Sequence, residues 1–190
     1  MMKNTIKAFV AMISFALMPF MANAQTGELD PENTLYLDLV DGRVVIEMFP
    51  DVAPNHVKRV KELVRQGFYD GLVFHRVIEG FMAQTGNPDI NNPDATGEAG
   101  TGQKIEAEFS DLAHYKGVVS MARATDENSA DSQFFICIGF SPHLDGQYTA
   151  WGEVRLGMRY VDKIKHGVVG DGLEDPSEII RMQVAADVKE

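Results

Sequence analysis

The chain has 190 residues, of which 45% are hydrophobic and 24% are charged, and its formal net charge is −11. These values are typical of a single well-packed globular domain and exclude a mainly disordered chain. A domain this acidic repels phosphate backbones, so we expect no nucleic-acid partner and attribute the charge to solubility.

The first 24 residues have the pattern of a signal peptide. Two lysines precede an apolar run over residues 8–21, and Ala-Asn-Ala follows at residues 22–24. A positive start, an apolar stretch and a small-x-small cleavage site define such a segment, although an N-terminal anchor helix is the alternative. The run is short for a membrane span. We therefore predict a signal peptide over residues 1–24 and a periplasmic location, with secretion as the alternative and no membrane attachment after cleavage.

Strand patterns dominate the rest of the chain. Residues 25–33 are polar and predict a flexible lead-in to a domain over residues 34–190. Asp41-Gly42 predicts a two-residue hairpin turn between the first strands, because both central positions of that turn favour positive φ. The runs typical of strands are residues 35–39, 43–49, 73–78, 117–121, 134–138, 149–154 and 178–184.

Helical patterns are few. Apolar residues recur at helical spacing between Pro54, which suits a first turn, and Gly67, which suits a helix end. A second short helix is predicted over residues 158–166. Long loops rich in Gly, Asn, Asp and Pro lie at residues 86–102 and 124–131. Many short strands without βαβ alternation favour a β-barrel or sandwich with accessory helices.

Metal and nucleophile chemistry has little support in the sequence. The five histidines show no metal-ligand spacing, and residues 89–94 fail as a calcium loop because Pro93 occupies a ligand position. Gly-x-Ser-x-Gly is absent. Cys137, the single cysteine, lies in an apolar run, so we interpret it as a buried inert thiol, with a catalytic thiol as the alternative. We expect no metal and no cofactor.

Two segments, residues 74–84 and 131–137, mix polar groups of the exposed type with apolar ones. On a strand, Arg76 shares a face with Phe74 and Ile78, an expensive place for an unpaired guanidinium. Periodicity alone leaves two interpretations open. Arg76 is either a functional group or a structural arginine paired with a carboxylate of Glu79 or Asp131.

The sequence resembles the cyclophilin family of peptidyl-prolyl isomerases over residues 34–184. Besides the two segments above, the resemblance rests on Gly-Thr-Gly-Gln at 100–103, Gly-Val-Val-Ser-Met-Ala at 117–122 and Leu-Asp-Gly-Gln at 144–147. It implies a mainly β fold, a closed eight-stranded antiparallel β-barrel capped by two α-helices. It also implies an isomerase that accelerates rotation about X–Pro bonds and assists the folding of exported proteins. A proline-peptide binding or chaperone module without significant catalysis is the alternative, and a purely structural barrel is another.

The resemblance also assigns the site. Arg76 matches the catalytic arginine of the family, and Ala122 matches the groove rim whose main chain pairs with peptide. The other matched residues are those of the hydrophobic proline pocket, Phe81, Met82, Phe135 and Leu144, and the polar groups that bind the peptide or hold the arginine, Gln84 and Gln133. Plain core packing is the alternative for each. Amide rotation makes and breaks no bond, so the family needs no cofactor.

Three further positions of the implied site depart from the common family pattern. Arg123 stands where many members have asparagine, and Tyr148 stands where many have histidine, which keeps an aromatic wall. His143 stands where the cyclosporin-sensitive members have tryptophan. We therefore expect weak cyclosporin binding. Expected partners are proline-containing unfolded or flexible polypeptides, and we expect a monomer.

Overall fold

The computed structural model describes residues 28–89 and 99–189, so the predicted signal peptide and most of the calcium-like segment lie outside the described residues. Within them, no helix is long and apolar enough to cross a membrane. The helices are α1 Pro54–Arg65 and α2 Met158–Val161. The strands are β1 Thr34–Leu39, β2 Gly42–Met48, β3 Arg76–Ile78, β4 Met82–Thr85, β5 Val118–Met121, β6 Phe134–Cys137, β7 Ala150–Leu156, β8 Gly167–Val169, β9 Gly172–Leu173 and β10 Ile179–Val184.

One ten-stranded sheet carries the fold, in the order β10-β1-β2-β7-β5-β6-β4-β3-β8-β9. The pairs are antiparallel except for β8 with β9, which is parallel. The prediction of a mainly β fold with two helices is confirmed. The count differs, because the structure has ten strands where eight were expected, and the strand order has two ends, so a closed eight-stranded barrel is not confirmed.

The hairpin between β1 and β2 forms, but its turn is not the predicted one. Leu39 pairs with Gly42, so the two turn residues are Val40 and Asp41. Among the described residues no non-glycine residue has positive φ, which excludes the expected turn type. Gly42 lies just after the turn and has a φ of +145°, and a Cβ there would also lie 2.6 Å from the ring of Tyr160.

The end of the expected flexible lead-in is attached to the domain. Pro31–Asn33 form a 3₁₀ turn, which Asp30 caps by accepting the backbone N–H of Glu32. The carboxylate of Glu32 then accepts hydrogen bonds from Lys61 and Arg65 at 3.0 and 2.8 Å. These two bonds connect the start of the domain to the exposed side of α1.

Both helices follow from the sequence, although α2 is shorter than predicted. Pro54 begins α1, whose buried face is apolar at helical spacing, and the carboxylate of Glu108 accepts the free backbone N–H groups of Asn55 and His56 at 3.1 Å. The predicted helix over 158–166 stops at Val161. Beyond it the backbone bonds span three residues, as in Ile164 N–H to Val161 C=O, so the chain tightens into 3₁₀-type turns.

The central strands are buried on both faces, which explains their continuous apolar runs. Phe134 and Ile136 of β6 face the main core, together with the apolar face of α1. Phe135 and Cys137, the alternate residues of the same strand, face a second, smaller apolar cluster with Met82. This second cluster lies on the outer face of the sheet and forms the base of the candidate site.

Candidate active site

One row of side chains crosses four adjacent strands of the sheet. Arg76 on β3 lies opposite Gln84 on β4, Gln84 lies opposite Phe135 on β6, and Phe135 lies opposite Ser120 on β5. Directly opposed residues of antiparallel strands share a face. Because neighbouring strands are about 4.8 Å apart, the backbones of Arg76 and Phe135 are separated by about 10 Å, with Gln84 between them.

A cavity of about 410 Å³ opens over this row. The structure brings ten of the eleven predicted site residues to its wall, and it adds one that the sequence did not indicate, Gln147. The lining residues are Arg76, Phe81, Met82, Gln84, Ala122, Arg123, Phe135, His143, Leu144, Gln147 and Tyr148. Gln133 is the eleventh predicted residue, and it lies buried behind the wall.

The guanidinium of Arg76 belongs to the cavity and not to an ion pair. Nη1 donates to Oε1 of Gln84 at 3.3 Å and contacts the sulfur of Met82 at 4.0 Å. Asp131, one carboxylate considered as its partner, instead accepts from Thr101 and from the N–H of Gly102. Across residues 28–89 and 99–189, no carboxylate forms an ion pair with Arg76. Burial lowers the pKa of this guanidinium, which stays charged at neutral pH.

A chain of amide hydrogen bonds fixes the orientation of Arg76. Nε2 of Gln84 donates to Oε1 of Gln133 at 2.8 Å, and Nε2 of Gln133 donates to the backbone oxygen of Ala99 at 2.8 Å. Each amide therefore presents its oxygen toward the arginine side of the chain. Both glutamines are almost fully buried, so their rotation would leave unpaired polar groups. Gln133 acts on the site through Gln84.

Two loops that pack tightly together form the outer wall of the cavity. A Cβ on Gly139 would lie 1.8 Å from the backbone oxygen of Gly80, so only glycine allows this approach. Phe81 follows Gly80, and His143 lies in the 3₁₀ turn Pro142–Leu144 beyond Gly139. The rings of Phe81 and His143 consequently lie 5.2 Å apart, on the same side of the cavity.

Phe135 is supported from behind by a buried histidine. The His114 ring stacks on Phe135 with centroids 6.4 Å apart, its Nδ1 is 2.9 Å from Asp145 and its Nε2 is 3.0 Å from Oγ of Ser120. This connectivity matches a hydrolytic triad. Ser120 is 0% exposed, however, so its hydroxyl cannot reach a substrate. Burial lowers the pKa of His114, and we assign the group to positioning Phe135.

Arg123 forms the opposite rim. Its guanidinium lies over the ring of Tyr148, 4.6 Å from the centroid, and Nε and Nη2 donate to the backbone oxygen of Gln147 at 3.2 and 3.1 Å. Nη1 donates to the backbone oxygens of Ala124 and Thr125 at 3.0 and 3.4 Å. All of its acceptors are neutral carbonyl oxygens.

Cys137 is not a reactive thiol. Cys137 is fully buried in the second apolar cluster, and burial raises the pKa of its thiol to about 12. This excludes the catalytic-thiol alternative, since a reactive cysteine needs an accessible thiolate. In the described parts of the chain, no group of three or more His, Cys, Asp and Glu side chains is placed to hold a metal ion.

The fold and the site define a class of protein. A mainly β domain presents a pocket in which apolar side chains lie beside a cationic donor, and no serine, threonine or cysteine lies among the residues that line it. Such a site suits a conformational change of a bound peptide better than a bond-breaking reaction.

The comparisons with known proteins agree. Residues 34–185 match the family model described as cyclophilin type peptidyl-prolyl cis-trans isomerase/CLD. A probable peptidyl-prolyl cis-trans isomerase of Brucella suis biovar 1 is 44% identical over 193 residues, covering 97% of this chain and 98% of the relative. Peptidyl-prolyl cis-trans isomerase B of Bacillus subtilis is 40% identical over 139 residues, covering 72% and 93%. The chain belongs to the cyclophilin-type peptidyl-prolyl cis-trans isomerase family.

Solved structures show the same likeness. A cyclophilin from Hirschia baltica has a TM-score of 0.74 and 28% identity, covering 85% of this chain and 77% of that one. A cyclophilin type isomerase of Cryptosporidium parvum, crystallised in the presence of the dipeptide Ala-Pro, has a TM-score of 0.69 and 25% identity, covering 80% and 98%. The protein is thus a peptidyl-prolyl cis-trans isomerase.

Two residues around the cavity were not assigned to the site from the sequence. Gln147 reaches it because the chain turns sharply after Leu144, with the Gln147 N–H donating to the Leu144 C=O. His114 lies 21 residues before Phe135, in the loop that precedes β5, and it meets Phe135 because β5 pairs with β6. The Leu-Asp-Gly-Gln motif contained Gln147, and that motif was its only signal.

Proposed function

We propose that Arg76 is the catalytic residue of this isomerase and acts by binding the twisted peptide bond more tightly than the planar one. Resonance makes the C–N bond partly double and its rotation slow. As the bond twists, the lone pair localises on the prolyl nitrogen, which becomes a better hydrogen-bond acceptor. A guanidinium directed at this atom therefore stabilises the transition state selectively.

The single observation that carries this proposal is the guanidinium of Arg76, which forms no ion pair within the described residues and lies in the cavity wall beside apolar side chains. Met82, Phe135 and the loop residue Phe81 supply apolar surface for a pyrrolidine ring. Gln84 holds the guanidinium through a neutral oxygen, so its charge is not cancelled. The Cryptosporidium isomerase was crystallised in the presence of the dipeptide Ala-Pro, which supports a proline-containing peptide as the ligand of this chain.

Replacing Arg76 by alanine tests the catalytic role. We expect the variant to fold and to lose about a hundredfold or more in kcat/KM, the loss typical of removing one electrostatic donor. A protease-coupled assay on a proline tetrapeptide measures it. Arg181→Ala removes the same charge from an exposed position on β10 and serves as the matched control. Near-wild-type turnover of Arg76→Ala would refute the role.

A proline-peptide binding module without significant catalysis is the second candidate. It predicts that the wild-type protein binds the peptide but does not accelerate its isomerisation. It also predicts the same isomerisation rate with Arg76→Ala as with the wild-type protein. The same tetrapeptide assay, combined with a titration of peptide binding, therefore separates this candidate from the isomerase. A purely structural barrel predicts neither binding nor catalysis.

We further propose that the protein assists the folding of exported proteins in the periplasm as a monomer. Support comes from the pattern of residues 1–24 and from the slow uncatalysed isomerisation of X–Pro bonds in folding chains. Cell fractionation tests the location. For cyclosporin we expect weak binding, since His143 offers a smaller ring than tryptophan, and submicromolar inhibition would contradict this expectation.

Closure of the sheet into a barrel is also proposed. Support comes from backbone hydrogen bonds that connect the chain before β3 with the start of β10. Gly71 N–H donates to Ile179 C=O at 2.8 Å, Ile179 N–H donates to Leu72 C=O at 2.8 Å, and Phe74 N–H donates to Ser177 C=O at 2.9 Å. Slow amide hydrogen exchange at these positions would support closure, and exchange as fast as in an exposed loop would oppose it.

A further inference from the structure

The substrate groove differs in charge from the rest of the molecule. The chain contains 28 acidic and 17 basic Lys and Arg residues, yet the residues that line the cavity include two arginines and one histidine and no aspartate or glutamate. The positive groups are Arg76 and Arg123. A cationic groove in an acidic protein presents an electrostatic complement to an anionic ligand.

The charge of Arg123 is held in place without being neutralised. Elsewhere in the described chain, Arg43, Arg65 and Arg155 each form an ion pair with Asp or Glu at 2.9 Å or less. Arg123 instead donates to three backbone oxygens and lies over an aromatic ring. Neutral acceptors and a ring face orient a guanidinium but leave its net charge available.

The position of Arg123 at the rim determines which part of a bound peptide lies near it. Arg76 lies beside the apolar pocket that takes the proline ring in the proposed function, and Arg123 lies in the wall of the same cavity, next to Ala122 and Tyr148. A residue adjacent to proline in a bound peptide therefore passes Arg123. The side chain of Arg123 is only partly exposed, so an ion pair formed there is screened less than one in open solvent.

From this charge pattern we infer that the isomerase prefers substrates with an acidic residue next to, or one position removed from, the proline. Arg123 is the specificity-determining residue. The inference rests on the proposed function and names its substrate class: flexible segments in which a carboxylate flanks proline. Lysine at the same peptide position meets like charge and is disfavoured.

The test is a scan of proline tetrapeptides in which Glu, Gln or Lys is placed in turn at the second residue before proline, the residue before it and the residue after it. We expect kcat/KM for the Glu peptide to exceed that for the Lys peptide by about three- to tenfold at one of these positions at low salt. A ratio of this size corresponds to a modest ion pair with Glu that Lys cannot form. At 0.5 M salt this ratio should fall toward one.

Variants separate charge from geometry. Arg123→Gln should abolish the Glu-over-Lys ratio, and Arg123→Lys should retain most of it because the charge is kept. Lys58→Gln, which removes the same charge from an exposed position on α1 outside the cavity, should leave the ratio at its wild-type value. These ratios are internal to each variant, so a change in overall activity does not obscure them.

The outcomes distinguish a failure of this inference from a failure of the proposed function on which it rests. If the wild-type protein fails to isomerise even the Gln peptides, the proposed function fails. If it isomerises them but shows no preference for Glu at any position, the acidic-substrate inference is overturned. A preference that survives in Arg123→Gln, or is lost equally in Arg123→Lys, also overturns the role of Arg123.

Discussion

Replacing Gln133 by leucine tests whether the buried amide chain positions Arg76. Leucine fills a similar volume but can neither accept the Nε2–H of Gln84 nor donate to the backbone of Ala99. Gln84 is 4% exposed, so water cannot readily replace the lost acceptor. Its amide then rotates, and Oε1 leaves the guanidinium it now orients.

The Arg76–Gln84 hydrogen bond sets the expected loss of activity. The bond from Arg76 to Gln84 is long, at 3.3 Å, so we take the low end of the about 1.5–3 kcal/mol that hydrogen bonds to charged groups contribute. Since about 1.4 kcal/mol corresponds to a factor of ten in rate, kcat/KM should fall about tenfold. The unpaired donor of Gln84 should also lower the free energy of unfolding by about 1–3 kcal/mol, measurable in urea.

A double-mutant cycle with Arg76→Ala separates positioning from general destabilisation. If Gln133 acts through Arg76, the Leu substitution should cost about tenfold in the wild-type background and almost nothing where Arg76 is already alanine. Gln183→Leu on β10, outside the cavity, controls for the loss of an amide. Equal losses in both backgrounds would show that Gln133 only supports the fold, and the reasoning would be wrong.

Two further predictions concern stability. Burial lowers the pKa of His56 and His114, so below the unfolded value of about 6.5 the unfolded chain binds more protons, and the free energy of unfolding should fall as pH decreases from 7 to 5. His114→Asn should reduce this slope in urea titrations, and an unchanged slope would exclude His114 as a source. Gly139→Ala should destabilise by about 1–3 kcal/mol and lower activity, because its Cβ would overlap Gly80. Gly146→Ala is the control, because Gly146 has a φ of +67° but its Cβ would meet no atom within 4 Å. It should lower the free energy of unfolding by about 1 kcal/mol and change activity little, and equal effects of the two substitutions would contradict the packing argument.

The parts of the fold that local patterns specify were predictable. Alternation over β1 and β2 and the helical period of α1 each reflect one buried face, which a short window of sequence reveals. β4 was missed because Met82–Thr85 are buried on both faces, so they show no alternation, and because two of these four residues are polar, so they form no apolar run either. β8 and β9 have three and two residues, too few for a pattern, and they are defined by their pairing with each other and with β3.

The site was less predictable from local patterns than the fold was. Periodicity placed Arg76 on an apolar face but left its partner open, and only the resemblance to the family selected the catalytic interpretation. The cavity wall depends on contacts between distant segments, such as Gly80 with Gly139 and His114 with Phe135. No local pattern specifies such pairs, because they arise when the sheet brings separate strands together. The resemblance therefore indicated the residues of the site and the two glutamines that hold Arg76, but not the contacts between distant segments that shape the wall.

The choice of acceptors around the two groove arginines connects stability with function. A carboxylate beside a half-buried guanidinium would offset more of its desolvation, but it would also compete with the substrate for the same donors. Amide and backbone oxygens hold Arg76 and Arg123 in place while leaving donors and net charge free. The cost is that the Arg76 guanidinium loses solvation on burial, which lowers its pKa, and no ion pair in the described chain compensates for this loss. Introducing a carboxylate at the acceptor position, as in Gln84→Glu, should therefore lower kcat/KM, because pairing with the carboxylate takes the Arg76 donor away from the substrate in the proposed mechanism. It should also lower the free energy of unfolding, because a carboxylate cannot donate to Oε1 of Gln133 as the buried amide does.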